Sequence, residues 1–381
     1  MEENKKSPFL INMKIVLYVT YCFFQFLCYL QAENEHFEDH SEAPFFAQLA
    51  SLLQNSDSND YNLETSFKDH SEAFFSSQLG FWLLNRDLND YNLETWMQDI
   101  SSKLNAKKIH EIVIPGSHDS GAFSFSRKSP VVDLPKWFGN LRKLVKYLPG
   151  EGIVVKWSKT QSLSIADQLK NGVRYLDFRI CQVKDVFYLY HGLRGPKLED
   201  ELSNIRTFLD INKGEIIILD LSHFYNVNVQ KLILLINKYL GNLCVCLSEK
   251  NLPYKELVNA NKRCFIFCDN KQFNNQSNLS LGKSDSKWVD KVKIDELESA
   301  LSEWHKNKNH NSIWILQYVL TSNAKYIAKH LISSLERITK ATHKNLPEFI
   351  KKFSNLNVVM FDFVNDTSCR TIIDQNLKDE K

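Results

Sequence analysis

An α/β fold built on a mainly parallel sheet is what this sequence predicts from Trp96 onward, and three observations lead there. Short apolar, β-branched runs recur through the region, longer stretches between them carry apolar residues at helical spacing, and His, Arg and Asp gather where the runs end. Alternating strand-type and helix-type periodicity is the pattern of βα units. The carboxyl ends of the strands are where such sheets build their sites. With 43% hydrophobic and 24% charged residues among 381, the composition is that of an ordinary globular protein able to bury one large core.

The strand-type runs cover residues 111–114, 173–180, 186–190, 215–221, 264–268, 312–320 and 357–363, each reading as a buried strand. Between them, Leu198, Leu202, Ile205, Phe208 and Leu209 fall on one helical face, as do Leu232, Leu235, Ile236 and Leu240. Seven strands fit an open sheet or a closed barrel, and periodicity does not choose between the two.

Ahead of this region the sequence is of another kind. Lys14 precedes an uncharged run from Ile15 to Leu30 that ends at Gln31-Ala32-Glu33. A basic start, an apolar stretch shorter than the ~20 residues a spanning helix needs, and a small residue before a polar chain predict a secretory signal over residues 1–32. The alternative is an uncleaved membrane anchor, and Leu30 occupies a place where a small residue is preferred. Residues 33–95 then form an acidic leader that repeats itself. Asp39-His40-Ser41-Glu42-Ala43 returns as Asp69-His70-Ser71-Glu72-Ala73, and Asn59-Asp60-Tyr61-Asn62-Leu63-Glu64-Thr65 as Asn89-Asp90-Tyr91-Asn92-Leu93-Glu94-Thr95, an offset of thirty positions. Two copies are too few for a solenoid, so a partly helical or disordered leader is expected.

Outside the expected signal the cysteines are Cys181, Cys244, Cys246, Cys264, Cys268 and Cys369. An even number permits disulfides in a secretory compartment, but the spacing forms no paired CxxC metal site, and buried free thiols are the alternative. Asn275, Asn278 and Asn365 each begin a glycosylation acceptor pattern. A net charge of +2 gives no global field strong enough to argue for a nucleic-acid binder, and that class is set aside.

The chemistry lies in the strand ends. The first run leads into Pro115-Gly116-Ser117-His118-Asp119, the second closes with Asp177-Phe178-Arg179, the third with His191-Gly192, and the last contains Asp362. Two histidines, an arginine and acidic partners converging on one face supply a base, an acid and a charge stabiliser.

Two longer motifs carry a resemblance. Ile112-Val113-Ile114-Pro115-Gly116-Ser117-His118-Asp119-Ser120-Gly121 and Gln168-Leu169-Lys170-Asn171-Gly172-Val173-Arg174-Tyr175-Leu176-Asp177-Phe178-Arg179 resemble the X domain of phosphatidylinositol-specific phospholipases C. Trp157-Ser158-Lys159-Thr160-Gln161, His191-Gly192 and Met360-Phe361-Asp362-Phe363 extend the match, which covers residues 96–381. The resemblance implies a distorted TIM-type (β/α) barrel acting on an inositol phospholipid at a membrane surface, with release of a cyclic inositol phosphate. It assigns His118 as general base, Asp362 as its orienting partner, His191 backed by Asp119 as general acid, and Arg179 as holder of the phosphate oxygens, a task that suits a planar, permanently charged fork. Asp177 is expected to position Arg179 or the inositol. Asp290 aligns with a position that contacts the ring, His223 falls near one occupied by a lysine in the bacterial members, and Tyr318 is a candidate lining residue, with a core aromatic as the alternative reading. Val292 stands where the bacterial enzymes have a stacking tyrosine, which leaves headgroup preference open.

No cofactor is expected. Calcium-dependent members place an asparagine after the first histidine and acidic ligands along the second strand, whereas here Asp119 follows His118 and Arg179 brings positive charge where a cation would sit. Trp137, Phe138, Leu141, Leu144, Val145 and Leu148, ringed by Lys136, Arg142, Lys143 and Lys146, form a basic amphipathic segment suited either to a membrane interface or to packing on the barrel. Two rivals stand beside the enzyme reading: a non-catalytic inositol-lipid binder, and a metal-dependent phosphodiesterase on a related barrel.

Overall fold

The computed structural model describes residues 91–133, 152–306, 308, 312–330 and 332–378. The expected signal, the repeat through Asp90 and the basic amphipathic segment lie outside the described residues.

Among the described residues nine strands follow one another: β1 (Ile114–Ser117), β2 (Tyr175–Val183), β3 (Val186–His191), β4 (Leu193–Lys197), β5 (Ile217–Tyr225), β6 (Cys264–Cys268), β7 (Asp285–Ser286), β8 (Trp314–Gln317) and β9 (Val358–Phe361). The parallel pairings run β6-β5-β2-β1-β9-β8-β7. One segment closes this row into a ring. Residues 280–282 pair with β6, where Leu281 N–H donates to the Ile266 carbonyl and Cys268 N–H to that of Gly282, both at 2.8 Å. A few residues on, β7 pairs with β8. The sheet is thus a barrel, distorted at this short joint, and its strands are buried on both faces; all five residues of β6 are buried.

Helices cover the outside: α1 (Trp96–Asp99), α2 (Ser101–Leu104), α3 (Ile153–Ser158), α4 (Ile165–Lys170), α5 (Leu198–Ile211), α6 (Val229–Leu240), α7 (Tyr254–Asn259), α8 (Lys271–Gln276), α9 (Ile294–Lys306), α10 (Ala324–Lys329), α11 (Leu335–Ile350) and α12 (Asp366–Ile373). Helix α5 buries Leu198, Leu202, Ile205, Phe208 and Leu209, and α6 buries Leu232, Ile236 and Leu240, so the apolar stripe of each faces the sheet. Among the described residues no helix is long and apolar enough to cross a membrane.

The sequence reading placed β1 three residues early, missed β4 and the two-residue β7, and did not show the direction of β3. Residues 186–190 do form a strand, but it pairs antiparallel with β2 through Ile180–Leu189 and Cys181–Tyr188, so it is the return arm of a hairpin and no member of the parallel ring. Its neighbour β4 contains Gly195-Pro196, residues that suppress a strand signal and are tolerated at an edge. At the opposite end of the barrel, residues 91–97 close the base. Trp96 is fully buried and its indole donates to the Gly172 carbonyl at 3.0 Å. Arg174 and Glu215, an ion pair at 2.8 Å with no exposure, hold this segment by its backbone: Arg174 donates to the carbonyls of Leu93 and Glu94, and Glu215 accepts the N–H groups of Met97 and Gln98.

The six described cysteines are free thiols, five of them buried. Asn365 uses its side chain to cap α12, accepting the Ser368 N–H at 2.9 Å, while its amide nitrogen lies 3.2 Å from His343.

Candidate active site

Neighbouring strands β1 and β9 end together, Ser117 in register with Phe361, and so place His118 beside Asp362. The His118 Nδ1–Asp362 Oδ1 distance is 2.7 Å. A carboxylate at that nitrogen fixes its proton on Nδ1 and leaves Nε2 facing the pocket. One residue on, the backbone of Asp119 turns into the left-handed region at φ 41°. The Asp177 carboxylate, accepting the Asp119 N–H at 3.0 Å, and the Thr160 hydroxyl, donating to the Asp119 carbonyl at 3.1 Å, hold it there.

Asp119 is the centre of the cluster. Its Oδ2 lies 3.3 Å from His118 Nε2 and 3.3 Å from His191 Nε2, and its Oδ1 pairs with Arg179 Nε. His191 arrives by the β2–β3 hairpin, which carries the chain beyond the barrel mouth and back. Its Nδ1–H donates to the Ser158 carbonyl at 2.8 Å, so a proton on Nε2 as well requires the cationic ring. The two imidazoles, 6.3 Å apart at 67°, face the same space. His118, His191 and Arg179 remain 13%, 26% and 27% exposed while Asp119 is sealed beneath them, so a ligand reaches the first three and meets the carboxylate only through them.

The charges are mutually supported. Burial works against the charge on Asp119, but Arg179 and the two imidazoles outweigh it and hold the carboxyl below its usual range. For His118 burial is again the opposing influence, and the Asp119 and Asp362 carboxylates overcome it, raising the imidazole to about 9. In His191 burial prevails over the pull of Asp119, with the positive charge of Arg179 adding to it, and the ring is pushed down. Burial also opposes the Arg179 charge, and Asp119 and Asp177 more than compensate. His118 Nε2 sees Asp119 at 3.3 Å and the Arg179 Nη2 donor at 3.4 Å. A proton on that atom favours the first contact and a lone pair the second, so the atom suits proton exchange.

A cavity of about 660 Å³ opens from this cluster, lined by His118, Arg179, His191 and Asp362 on one side and by Tyr175, Asp220, Ser284 and Gln317 deeper in. Its depth is polar. Asp220 accepts from the Tyr175 hydroxyl at 2.8 Å and from Ser284, and burial raises its carboxyl to about 6. Asp177 accepts the Ser222 hydroxyl at 2.6 Å. Alternating donors and acceptors of this kind suit a ligand with several hydroxyl groups.

The structure brings together His118, Asp119, Arg179, His191, Asp362 and Asp177, and His223 lines the same cavity. Asp177 grips the Asp119 loop and Ser222, and among the described residues it makes no hydrogen bond to Arg179. Two other expectations are corrected. Tyr318 is turned away from the cavity, stacked on Phe349 with its hydroxyl on Glu298 at 2.7 Å, because alternation along β8 gives the inward position to Gln317. Asp290 is exposed, in a left-handed turn at φ 51°, and Trp288 lines the mouth in its place. Sequence reading missed Asp220, Ser222, Ser284 and the Ser158 carbonyl. Asp220 had a signal, a lone carboxylate within the apolar run from Ile216 to Leu221. A backbone carbonyl leaves none.

With this geometry in view, comparison with known proteins gives a consistent result. The PI-PLC X family model matches residues 153–312, a span that includes Arg179 and His191. The human PI-PLC X domain-containing protein 2 is 32% identical over 241 residues, 60% of this chain and 77% of the relative. Its mouse counterpart is 29% identical over 286 residues, 70% and 82% of the two chains. Among solved structures, the phosphatidylinositol-specific phospholipase C of Listeria monocytogenes superposes with a TM-score of 0.54 at 17% identity, covering 75% of this chain and 99% of the other. A Staphylococcus aureus phosphatidylinositol-specific phospholipase C gives 0.55 at 19%, covering 76% and 99%. The bacterial likeness carries the barrel fold, and the similarity to the animal proteins carries the relationship: this chain belongs to the PI-PLC X domain-containing protein family.

Proposed function

We propose that the protein is a phosphodiesterase that cleaves phosphatidylinositol-type lipids to diacylglycerol and a cyclic inositol phosphate, without a metal ion. The observation that carries this reading is the convergence of His118 Nε2 and His191 Nε2 on one oxygen of Asp119, with Arg179 on the other. His118, oriented by Asp362, removes the proton of the inositol 2-hydroxyl. That oxygen attacks phosphorus within the same molecule, the bond from phosphorus to the glycerol oxygen breaks, and His191 delivers a proton from Nε2 to the departing oxygen. Arg179 neutralises the charge that grows on the phosphate oxygens. The hydroxyl-binding depth of the cavity fits the inositol ring.

One observation favours a metal instead: His118, Asp119 and Asp177 each offer a ligand atom within 4.8 Å of the others. These atoms already have partners, however. Asp119 is paired with a guanidinium, and the two oxygens of Asp177 accept an N–H and a hydroxyl. A divalent ion would have to displace Arg179 or sit beside it against strong repulsion.

An assay of the purified protein on phosphatidylinositol vesicles, with and without EDTA, tests both parts. The expected product is cyclic inositol phosphate at a rate unchanged by chelator. His118→Ala and Arg179→Leu each lower turnover by at least ~100-fold. Vesicle binding without turnover in the parent would make the protein a lipid binder, and loss of activity in EDTA would return the metal to the mechanism.

A further inference from the structure

The pairing of β1 with β9 stops just where the chemistry starts. Ser117 and Phe361 are the last residues in register, and His118 N–H donates to the Phe361 carbonyl at 3.1 Å. Beyond that point both chains turn into the left-handed region, Asp119 at φ 41° and Phe363 at φ 51°, so the ladder cannot continue. The next buried backbone groups still need partners, and the adjacent residues Thr160 and Gln161 supply them.

Gln161 is fully buried, and its amide spans both loops. Its Nε2 donates to the His118 carbonyl at 2.9 Å and to the Phe361 carbonyl at 3.3 Å, and its Oε1 accepts the Val364 N–H at 3.0 Å. The backbone around it acts in the same sense. The Thr160 carbonyl accepts the Phe363 N–H at 2.7 Å, and the Gln161 N–H donates to the Ala122 carbonyl at 3.3 Å. Thr160 bridges the same two loops farther out, its hydroxyl donating to the Asp119 carbonyl at 3.1 Å and its carbonyl accepting the Phe363 N–H, whereas the Gln161 amide reaches the His118 and Phe361 carbonyls beside the reacting pair. The outer oxygen of Asp362, Oδ2, is buried with no hydrogen-bond partner among the described residues, so the carboxylate depends on the backbone beneath it for its aim.

We propose that Gln161 is a positioning residue for the acid–base pair, its amide replacing the missing rung between β1 and β9 and thereby setting the His118–Asp362 contact. This rests on the acid–base reading above. Gln161 is absent from the cavity lining and touches no substrate; its effect passes through the two loops. A displacement of either loop by a fraction of an ångström alters a 2.7 Å hydrogen bond, and misplacement of a catalytic group by about 1 Å costs about 100-fold in rate.

The test uses two variants and one matched control. Gln161→Asn keeps the amide but is one methylene too short to span both loops, and Gln161→Met removes donor and acceptor. Gln168→Met removes a second fully buried amide, one that donates to the Ser120 and Leu163 carbonyls at 2.9 Å and touches neither loop residue of the pair. The His118 titration is followed by NMR in the ligand-free protein, with circular dichroism to verify folding. In the parent the imidazole is expected to titrate near 9; both Gln161 variants move it down by about one pH unit or more as the Asp362 contact loosens, and Gln168→Met leaves it in place. On vesicles the Gln161 variants lose about 10–100-fold in kcat with KM nearly constant. If Gln161→Met fails to fold, Gln161→Asn carries the test. A folded Gln161 variant whose His118 titrates like the parent overturns the proposal. Because this readout needs no substrate, it stands even if the parent turns nothing over, an outcome that would instead refute the enzyme reading.

Discussion

His118 is the residue on which most of the chemistry turns, and its environment sets a pH dependence. Two carboxylates raise the imidazole to about 9, so the neutral form that accepts a proton grows tenfold per pH unit up to that point. His191 must at the same time carry a proton on Nε2, and its ring is pushed down, so the gain in neutral His118 and the loss of protonated His191 offset one another: the expected kcat/KM is level up to about 9 and falls above it. In Asp362→Asn one of the two stabilising charges is gone. The NMR titration of His118 then moves to lower pH, the falling limb above 9 moves down with it, and turnover falls by at least ~100-fold because the ring is no longer held for proton transfer. The same shift carries a stability consequence. A histidine raised in the folded state contributes stability that is complete below about pH 6.5 and is lost as pH rises through about 9, so unfolding midpoints fall across that window in the parent and fall less in Asp362→Asn. Residue types at strand ends announced this chemistry, since the sequence placed His118, Asp119, Arg179, His191 and Asp362 each at the end of an apolar run. Gln161 and Ser158 could not be read the same way, because an amide and a carbonyl acquire meaning only from what folding brings beside them.

The β2–β3 hairpin decides where the second imidazole goes. Gly121, in the loop after β1, packs so tightly on this hairpin that an added Cβ would lie 2.4 Å from the Cβ of Leu189, two residues before His191. Gly121→Ala therefore forces β3 outward. The expected result is a folded protein destabilised by about 1–3 kcal/mol, with kcat lowered by about 10–100-fold; normal turnover in this variant would mean that the hairpin does not position His191. Periodicity revealed β3 as a strand but not its direction. An antiparallel return arm and a parallel ring strand have the same alternation of side chains, and only pairing with Ile180 and Cys181 distinguishes them. Neighbouring β4 was invisible because Gly195-Pro196 argues against a strand anywhere but an edge.

At the scale of the whole barrel, the site occupies the mouth while a separate polar network secures the base. Arg174 and Glu215 are an unexposed pair that binds the entering segment by its carbonyl and N–H groups. Glu215→Gln preserves the shape and strands a buried guanidinium without its counter-charge, a change that costs about 3–5 kcal/mol. Thermal unfolding followed by circular dichroism is expected to show a midpoint lower by roughly 10 °C, with the His118 titration unaltered because the pair sits at the other end of the strands. The sequence by itself determined the fold class, the two helical faces and the residue types of the proton-transfer cluster, because burial periodicity and strand-end chemistry are local properties of the chain. Barrel closure through residues 280–286, the hairpin that turns His191 back, the inward aim of Gln317 over Tyr318 and the exposure of Asp290 were decided by tertiary structure alone. Each depends on which distant strand a segment meets and in what register, and that information is held in pairwise contacts between segments far apart along the chain.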